Sequence, residues 1–201
     1  MTTYLPILIA MLLAYLLGSV PFAVVFAKLF CLNDPRRYGS GNPGATNILR
    51  SGNHTAAVLT LFGDLGKGAI AVLTAHYYFT PQTTPVLLVA LCVFLGHLYP
   101  LFLRFRGGKG VATAAGVLLA LDWRLGLLVI AVWLTAVYLF RYSSLAALLA
   151  ALSAPLYLLL TVSTVDGQLI LVSSIAFILI YRHRDNIYRL MSGQESKISH
   201  K

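Results

Sequence analysis

The sequence predicts an all-α, polytopic integral membrane protein with seven transmembrane helices, the N-terminus outside and the C-terminus cytoplasmic. Three observations carry that expectation. Of 201 residues, 59% are hydrophobic, mean hydropathy is +0.82 and only 10% are charged; a soluble domain of this size carries about 25% charged residues. The apolar residues fall in runs that suit a hydrocarbon core about 30 Å thick. The basic residues gather in alternate connections, which gives the chain a direction across the bilayer. So few polar groups cannot cover a surface in water, whereas lipid can. The even spread of apolar segments predicts one membrane-embedded domain over 1–201.

The spans are expected near 4–30, 55–78, 85–103, 110–121, 125–140, 144–163 and 168–181. The first is interrupted by Gly18-Ser19-Val20-Pro21, which predicts a kink or a close packing point. In the second, Gly63-Asp64-Leu65-Gly66-Lys67-Gly68 sets Asp64 and Lys67 three residues apart, able to pair on one helix face. Ionisable residues inside a membrane are functional candidates by default, but a neutralised pair that organises the bundle is the reading favoured here. His97 and Pro100 mark the end of the third span, His97 being equally compatible with packing. The fourth run is short and the seventh marginal, so five spans is the lower bound. Thr80-Pro81-Gln82-Thr83-Thr84-Pro85 and Val165-Asp166-Gly167 are connections. The N-terminus lacks a basic region before its long apolar run, which argues against a cleaved signal peptide.

Charge orients the spans. One side carries Lys28, Arg36, Arg37, Arg50, Arg104, Arg106, Lys109 and Arg141, joined by Arg182, Arg184, Arg189, Lys197 and Lys201 of the tail. The other has Arg124 beside Asp122 and Asp166. The positive-inside rule makes the first side cytoplasmic. The net charge of +9 points to anionic headgroups, phosphorylated substrates or topology signals. Nucleic acid is a poor partner for bases confined to short interhelical loops. Cys31 and Cys92 share no motif spacing and predict neither a metal site nor a disulfide framework.

Chemistry is concentrated in the basic loops. Gly39-Ser40-Gly41-Asn42-Pro43-Gly44-Ala45-Thr46-Asn47 lets backbone approach a ligand and adds short polar donors, with Arg50 suited to a phosphate. A plain interhelical loop is the competing explanation. Arg104-Phe105-Arg106-Gly107-Gly108-Lys109-Gly110 resembles part of a phosphate loop but fails the nucleotide-binding pattern. Leu103 stands where that pattern wants its first glycine, and Gly110 where it wants Ser or Thr. The segment suits a phosphate or acyl-phosphate, or equally a basic membrane anchor. In Arg182-His183-Arg184-Asp185-Asn186-Ile187 the flanking cations disfavour protonation of His183, leaving a neutral donor or acceptor. Taken alone, that segment reads as a solvated charge cluster at a membrane exit.

The sequence has no Gly-x-Ser-x-Gly elbow and no His-Glu-x-x-His pair. The position five beyond each internal histidine is Leu59, Pro81, Phe102 or Tyr188, so the His-x-x-x-x-Asp pattern of a common acyltransferase class is also missing. With six acidic residues in all, a reaction here would depend on an activated substrate and anion stabilisation.

Gly39 to Asn47, Gly107 to Thr113 and His183 to Ile187, with Gly18-Ser19-Val20-Pro21, together resemble the bacterial acyl-phosphate:glycerol-3-phosphate acyltransferases, the PlsY family. The resemblance runs in order over nearly the whole chain. It implies a seven-span enzyme of the bacterial inner membrane with its active site on the cytoplasmic side. That enzyme would move a fatty acyl group from acyl-phosphate to the 1-hydroxyl of sn-glycerol-3-phosphate, giving lysophosphatidic acid and phosphate, the first step of phospholipid synthesis. Carried over by motif, Ser40, Lys109, His183 and Asn186 are the expected catalytic residues. Asn42, Thr46, Arg50, Gly107, Gly108 and Ser144 are expected to bind substrate, with Ser143 an alternative to Ser144. No cofactor or metal is implied, the partners are the two substrates and membrane lipid, and a monomer is expected. A transporter or channel for an organophosphate is the competing class, since cations and glycine breaks near helix ends would suit it. Against it, the bases lie in loops and none is read at the centre of a span.

Overall fold

The computed structural model describes residues 4–80, 83–161 and 166–198. Pro81, Gln82, Val165 and Lys201, used in the expectations above, lie outside them. All regular structure among the described residues is helical. The chain divides into two compact units, one ending at Leu121 and the next beginning at Asp122.

The first unit contains α1 (Tyr4–Gly18), α2 (Phe22–Leu29), the short α3 (Ala45–Leu49), α4 (His54–Phe79), α5 (Thr83–Leu98) and α6 (Val111–Leu121). The first expected span is a broken helix. α1 and α2 meet at 41° across Ser19-Val20-Pro21, because Pro21 has no N–H to continue the ladder. The Val20 carbonyl freed there accepts from Lys67 Nζ at 2.9 Å, and the Ser19 hydroxyl beside the break accepts from Leu101 N at 3.2 Å.

Glycines set the closest helix contacts. A Cβ on Gly18 or Gly96 would collide with the backbone of the facing helix, at Val93 and Tyr15 respectively, so α1 and α5 meet main chain to main chain. Gly68 against Thr113 and Gly116 against Leu65 join α4 to α6 in the same way. With lipid outside, such close van der Waals packing replaces hydrophobic collapse as the source of association.

The second unit contains α7 (Trp123–Phe140), α8 (Ser143–Thr161), α9 (Gly167–Arg182) and α10 (Arg184–Met191). Asp122 caps α7 by accepting from Arg124 N at 2.9 Å, and Asp166 caps α9 by accepting from Leu169 N at 2.8 Å. The second of these connections was expected as a turn.

All seven apolar segments are helical, but they differ in reach. α4, α5 with its extension to Leu103, α7 and α8 are long and apolar enough to cross a membrane, and the broken α1–α2 pair would make a fifth span. α6 and α9 are apolar but have 11 and 16 residues, about 16 and 24 Å of helix. By length and composition alone, four described helices, or five with the bent pair, are sufficient to cross a membrane. One sequence expectation needs correction. Lys67 stands at the middle of α4, so a cation does occupy the centre of a span, and Asp64 neutralises it at 2.8 Å.

Candidate active site

Two loops of the first unit carry most of the expected site residues. The loop entering α3 is organised by Asn47, which the sequence motif contained without assigning it a role. Its buried amide donates to the carbonyls of Pro35 (2.7 Å) and Tyr38 (3.1 Å), and its Oδ1 accepts from Ser40 N (3.0 Å). Gly39 lies in the left-handed region (φ 57°), and a Cβ there would strike Asn47 Oδ1, so both backbone and space require glycine. Ser40 is thereby fixed at the surface, with Asn42 N pointing at its Oγ at 3.4 Å. The aliphatic part of Arg50 runs beside Gly39. Thr46 lies in the first turn of α3, half-buried.

The cations of this loop are not equivalent. Arg36 is bound to Asp34 at 2.6 Å, and that hydrogen-bonded pair, with the nearby charge of Arg37, holds the Asp34 carboxyl down to about 2. The exposed Arg50 forms no side-chain hydrogen bond or ion pair among the described residues. Its guanidinium is therefore open to an anion, as is that of the exposed Arg37.

The second loop closes on the end of α5. Arg104 and Phe105 both adopt positive φ, 52° and 62°, which turns the chain back. Gly107 N then donates to the Leu98 carbonyl (3.1 Å) and Gly108 N to that of His97 (3.2 Å). The N–H groups of Gly107 and Gly108 are thereby used to close the loop. The glycines serve close approach: a Cβ at 107 would meet the His97 carbonyl and Pro100, and one at 108 the His97 ring. Lys109 follows, half-buried, just before Gly110 (φ 85°) and the start of α6.

Beneath the loop is a small cavity lined by Ser19, Pro43, Asp64, Lys67, His97 and Gly108, among others. Pro43 belongs to the first loop, so the two glycine loops share this cavity. His97 is buried, with Nδ1 3.4 Å from Asp64 and 3.1 Å from Thr113 Oγ1. The sequence left its role open.

In the second unit, Ser144, His183 and Asn186 are all buried. His183 Nδ1 lies 2.8 Å from the Leu179 carbonyl. A carbonyl only accepts, so Nδ1 carries the hydrogen and Nε2 is the nitrogen able to take a proton. Ser144 Oγ (2.7 Å) and Asn186 Nδ2 (2.6 Å) both donate to Glu195 Oε1, while Arg189 Nε donates to Oε2 (2.8 Å). Glu195 was missed in the sequence because it stands alone in a polar tail, with no spacing to tie it to the His183 segment. Burial alone would raise its pKa; the three hydrogen bonds and the Arg189 charge outweigh that and hold it below its ordinary 4.5.

A carboxylate with a lowered pKa stabilises the fold above its unfolded-state value, and that contribution fades as pH falls through the folded value. Hydrogen exchange across 183–198 should therefore accelerate as pH drops below 4.5, after correction for intrinsic rates. Glu195→Gln should weaken protection at neutral pH and flatten this dependence. Because Glu195 is partly exposed, added salt should weaken the effect.

With this geometry described, comparison with known proteins gives a consistent result. Residues 8–193 match the sequence profile of the family described as Glycerol-3-phosphate acyltransferase. The chain is 58% identical over 195 residues to the glycerol-3-phosphate acyltransferase of Dechloromonas aromatica (strain RCB), covering 97% of this chain and 98% of that one. It is 52% identical to that of Herminiimonas arsenicoxydans, covering 100% and 99%. A solved structure of PlsY (YgiH), an integral membrane glycerol 3-phosphate acyltransferase in its glycerol 3-phosphate form, superposes with a TM-score of 0.90 at 41% identity, covering 96% of this chain and 95% of that one. The lysphosphatidic acid form superposes with a TM-score of 0.88 at 40% identity, with the same coverage. Matched along nearly its whole length in both sequence and fold, the chain belongs to the glycerol-3-phosphate acyltransferase family.

Proposed function

We propose that the chain transfers a fatty acyl group from acyl-phosphate to the 1-hydroxyl of sn-glycerol-3-phosphate, releasing lysophosphatidic acid and inorganic phosphate. The whole of 1–201 would act as one monomeric domain in the bacterial inner membrane, with seven spans, the N-terminus outside and the reaction on the cytoplasmic side. The observation that carries this reading is the full-length likeness to a transferase solved with glycerol 3-phosphate and in a lysphosphatidic acid form.

An acyl-phosphate is a mixed anhydride with a good leaving group, so it needs no covalent enzyme intermediate. The glycerol hydroxyl oxygen attacks the acyl carbonyl carbon, the carbon–oxygen bond to phosphate breaks, and phosphate departs with the electron pair. Arg50 and Lys109 would hold the two phosphates, and Ser40, Asn42 and Thr46 would supply short donors. Gly107 and Gly108 would serve substrate binding by seating the turn that carries Lys109. The hydroxyl proton goes to a phosphate oxygen or to His183, whose Nε2 is the nitrogen able to accept it. Asn186 and Ser144 would orient substrate, themselves held by Glu195.

If His183 is the base, His183→Ala should lower kcat by about 10²- to 10⁴-fold and leave KM for glycerol-3-phosphate nearly unchanged. A loss confined to KM would instead make it a binding residue. The function itself is tested by phosphate release from purified protein given palmitoyl-phosphate and glycerol-3-phosphate. Release that requires both substrates is expected. Bound glycerol-3-phosphate with no release from folded protein would overturn the transferase reading and favour carriage of an organophosphate.

A further inference from the structure

The Asp64–Lys67 pair has more partners than charge neutralisation inside a membrane requires. Its side chains are 4% and 1% exposed and 2.8 Å apart. Lys67 Nζ reaches across to the carbonyl freed at the α1–α2 break, at 2.9 Å. The Asp64 oxygen that receives the lysine also faces His97 Nδ1 at 3.4 Å, and Thr113 Oγ1 of α6 lies 3.1 Å from the same nitrogen. Thr113 Oγ1 and the Asp64 carboxylate thus bracket Nδ1 and together hold the plane of the ring. The far edge of that ring, at Nε2, packs against Gly108 where a Cβ could not fit. The main-chain carbonyl of His97 accepts Gly108 N at 3.2 Å. One residue thus holds Gly108 from two sides, and Lys109 is the next residue along.

We propose that Asp64, anchored by Lys67, acts through His97 and Thr113 to position the Gly108–Lys109 turn, making these buried groups positioning residues for acyl transfer. Tilting the ring would shift Gly108 and redirect Lys109, and a misplacement near 1 Å costs about 10²-fold in rate. The inference rests on Lys109 acting in the reaction proposed above.

The test is a mutant cycle on the full-length purified protein, read as kcat/KM for phosphate release and as melting temperature. His97→Leu keeps a side chain against Gly108 but loses the contacts of Nδ1 with Thr113 and Asp64. It should lower kcat/KM by about 10- to 100-fold. Thr113→Val, nearly isosteric and the milder change, should lower it by about three- to tenfold with an unchanged melting temperature. In a Lys109→Ala background each change should cost less than about twofold, because the group being positioned is gone. Losses that add fully to that of Lys109→Ala overturn the proposal. So does wild-type kcat/KM in Thr113→Val, or a loss that merely follows melting temperature. If His97→Leu does not fold, the Thr113 arm decides. No release from the wild type would instead defeat the donor reading, and this inference with it.

Discussion

Replacing Lys109 by alanine is expected to lower kcat/KM by about 10³-fold, roughly 4 kcal/mol of transition-state stabilisation. The N–H groups of Gly107 and Gly108 close the turn onto the carbonyls of Leu98 and His97, so the phosphate contact proposed here rests on a side-chain charge, that of Lys109. Negative charge grows on the acyl oxygen and the leaving phosphate as the hydroxyl attacks. A fixed cation in a site that excludes water acts on that charge far more strongly than one in solution. The measurement is phosphate release with palmitoyl-phosphate and glycerol-3-phosphate, with melting temperature as the control for folding. A folded Lys109→Ala protein within about threefold of wild type would remove Lys109 from the site, since positioned charges contribute far more than that. Arginine at 109 should recover little, because its planar fork differs in shape and reach from an ammonium.

Lys67→Met is expected to destabilise the protein by about 3–5 kcal/mol, the cost of leaving a buried charge without its partner. Asp64 would remain inside α4 facing a thioether, with His97 Nδ1 at 3.4 Å from its Oδ1. The double change Asp64→Leu with Lys67→Met should recover most of that loss, because an apolar pair of similar volume replaces an ion pair at little net cost. Thermal unfolding in detergent or bicelles reads both. If the single and double variants are equally destabilised, the charge is not what matters and packing of the two stems is. Turnover should separate from stability in the double variant: it folds, but His97 has lost the group that orients it.

Much of the molecule is legible from sequence because apolar run length and loop charge act locally. A segment such as Trp123–Phe140 becomes a helix in lipid because each backbone group must be satisfied within the segment. The motif residues Ser40, Arg50, Lys109, His183 and Asn186 could be named because their types and order match a family pattern, whatever their partners. Span count was less legible. The run at 110–121 is as apolar as its neighbours, but whether 11 residues cross a bilayer depends on what shelters their ends.

The sequence alone determined the membrane class, the positions of the helices, the break at Ser19–Pro21, the pairing of Asp64 with Lys67 and the family. Each of these is written in residues near one another along the chain. Only the tertiary structure decided that Glu195 joins Ser144 to Asn186, that Asn47 builds the first glycine loop, and that Asp64 reaches Gly108 through His97. Those contacts link residues separated by turns or whole helices. Their hydrogen-bonding partners are set by how glycine-lined helices pack, and no periodicity in the sequence records that.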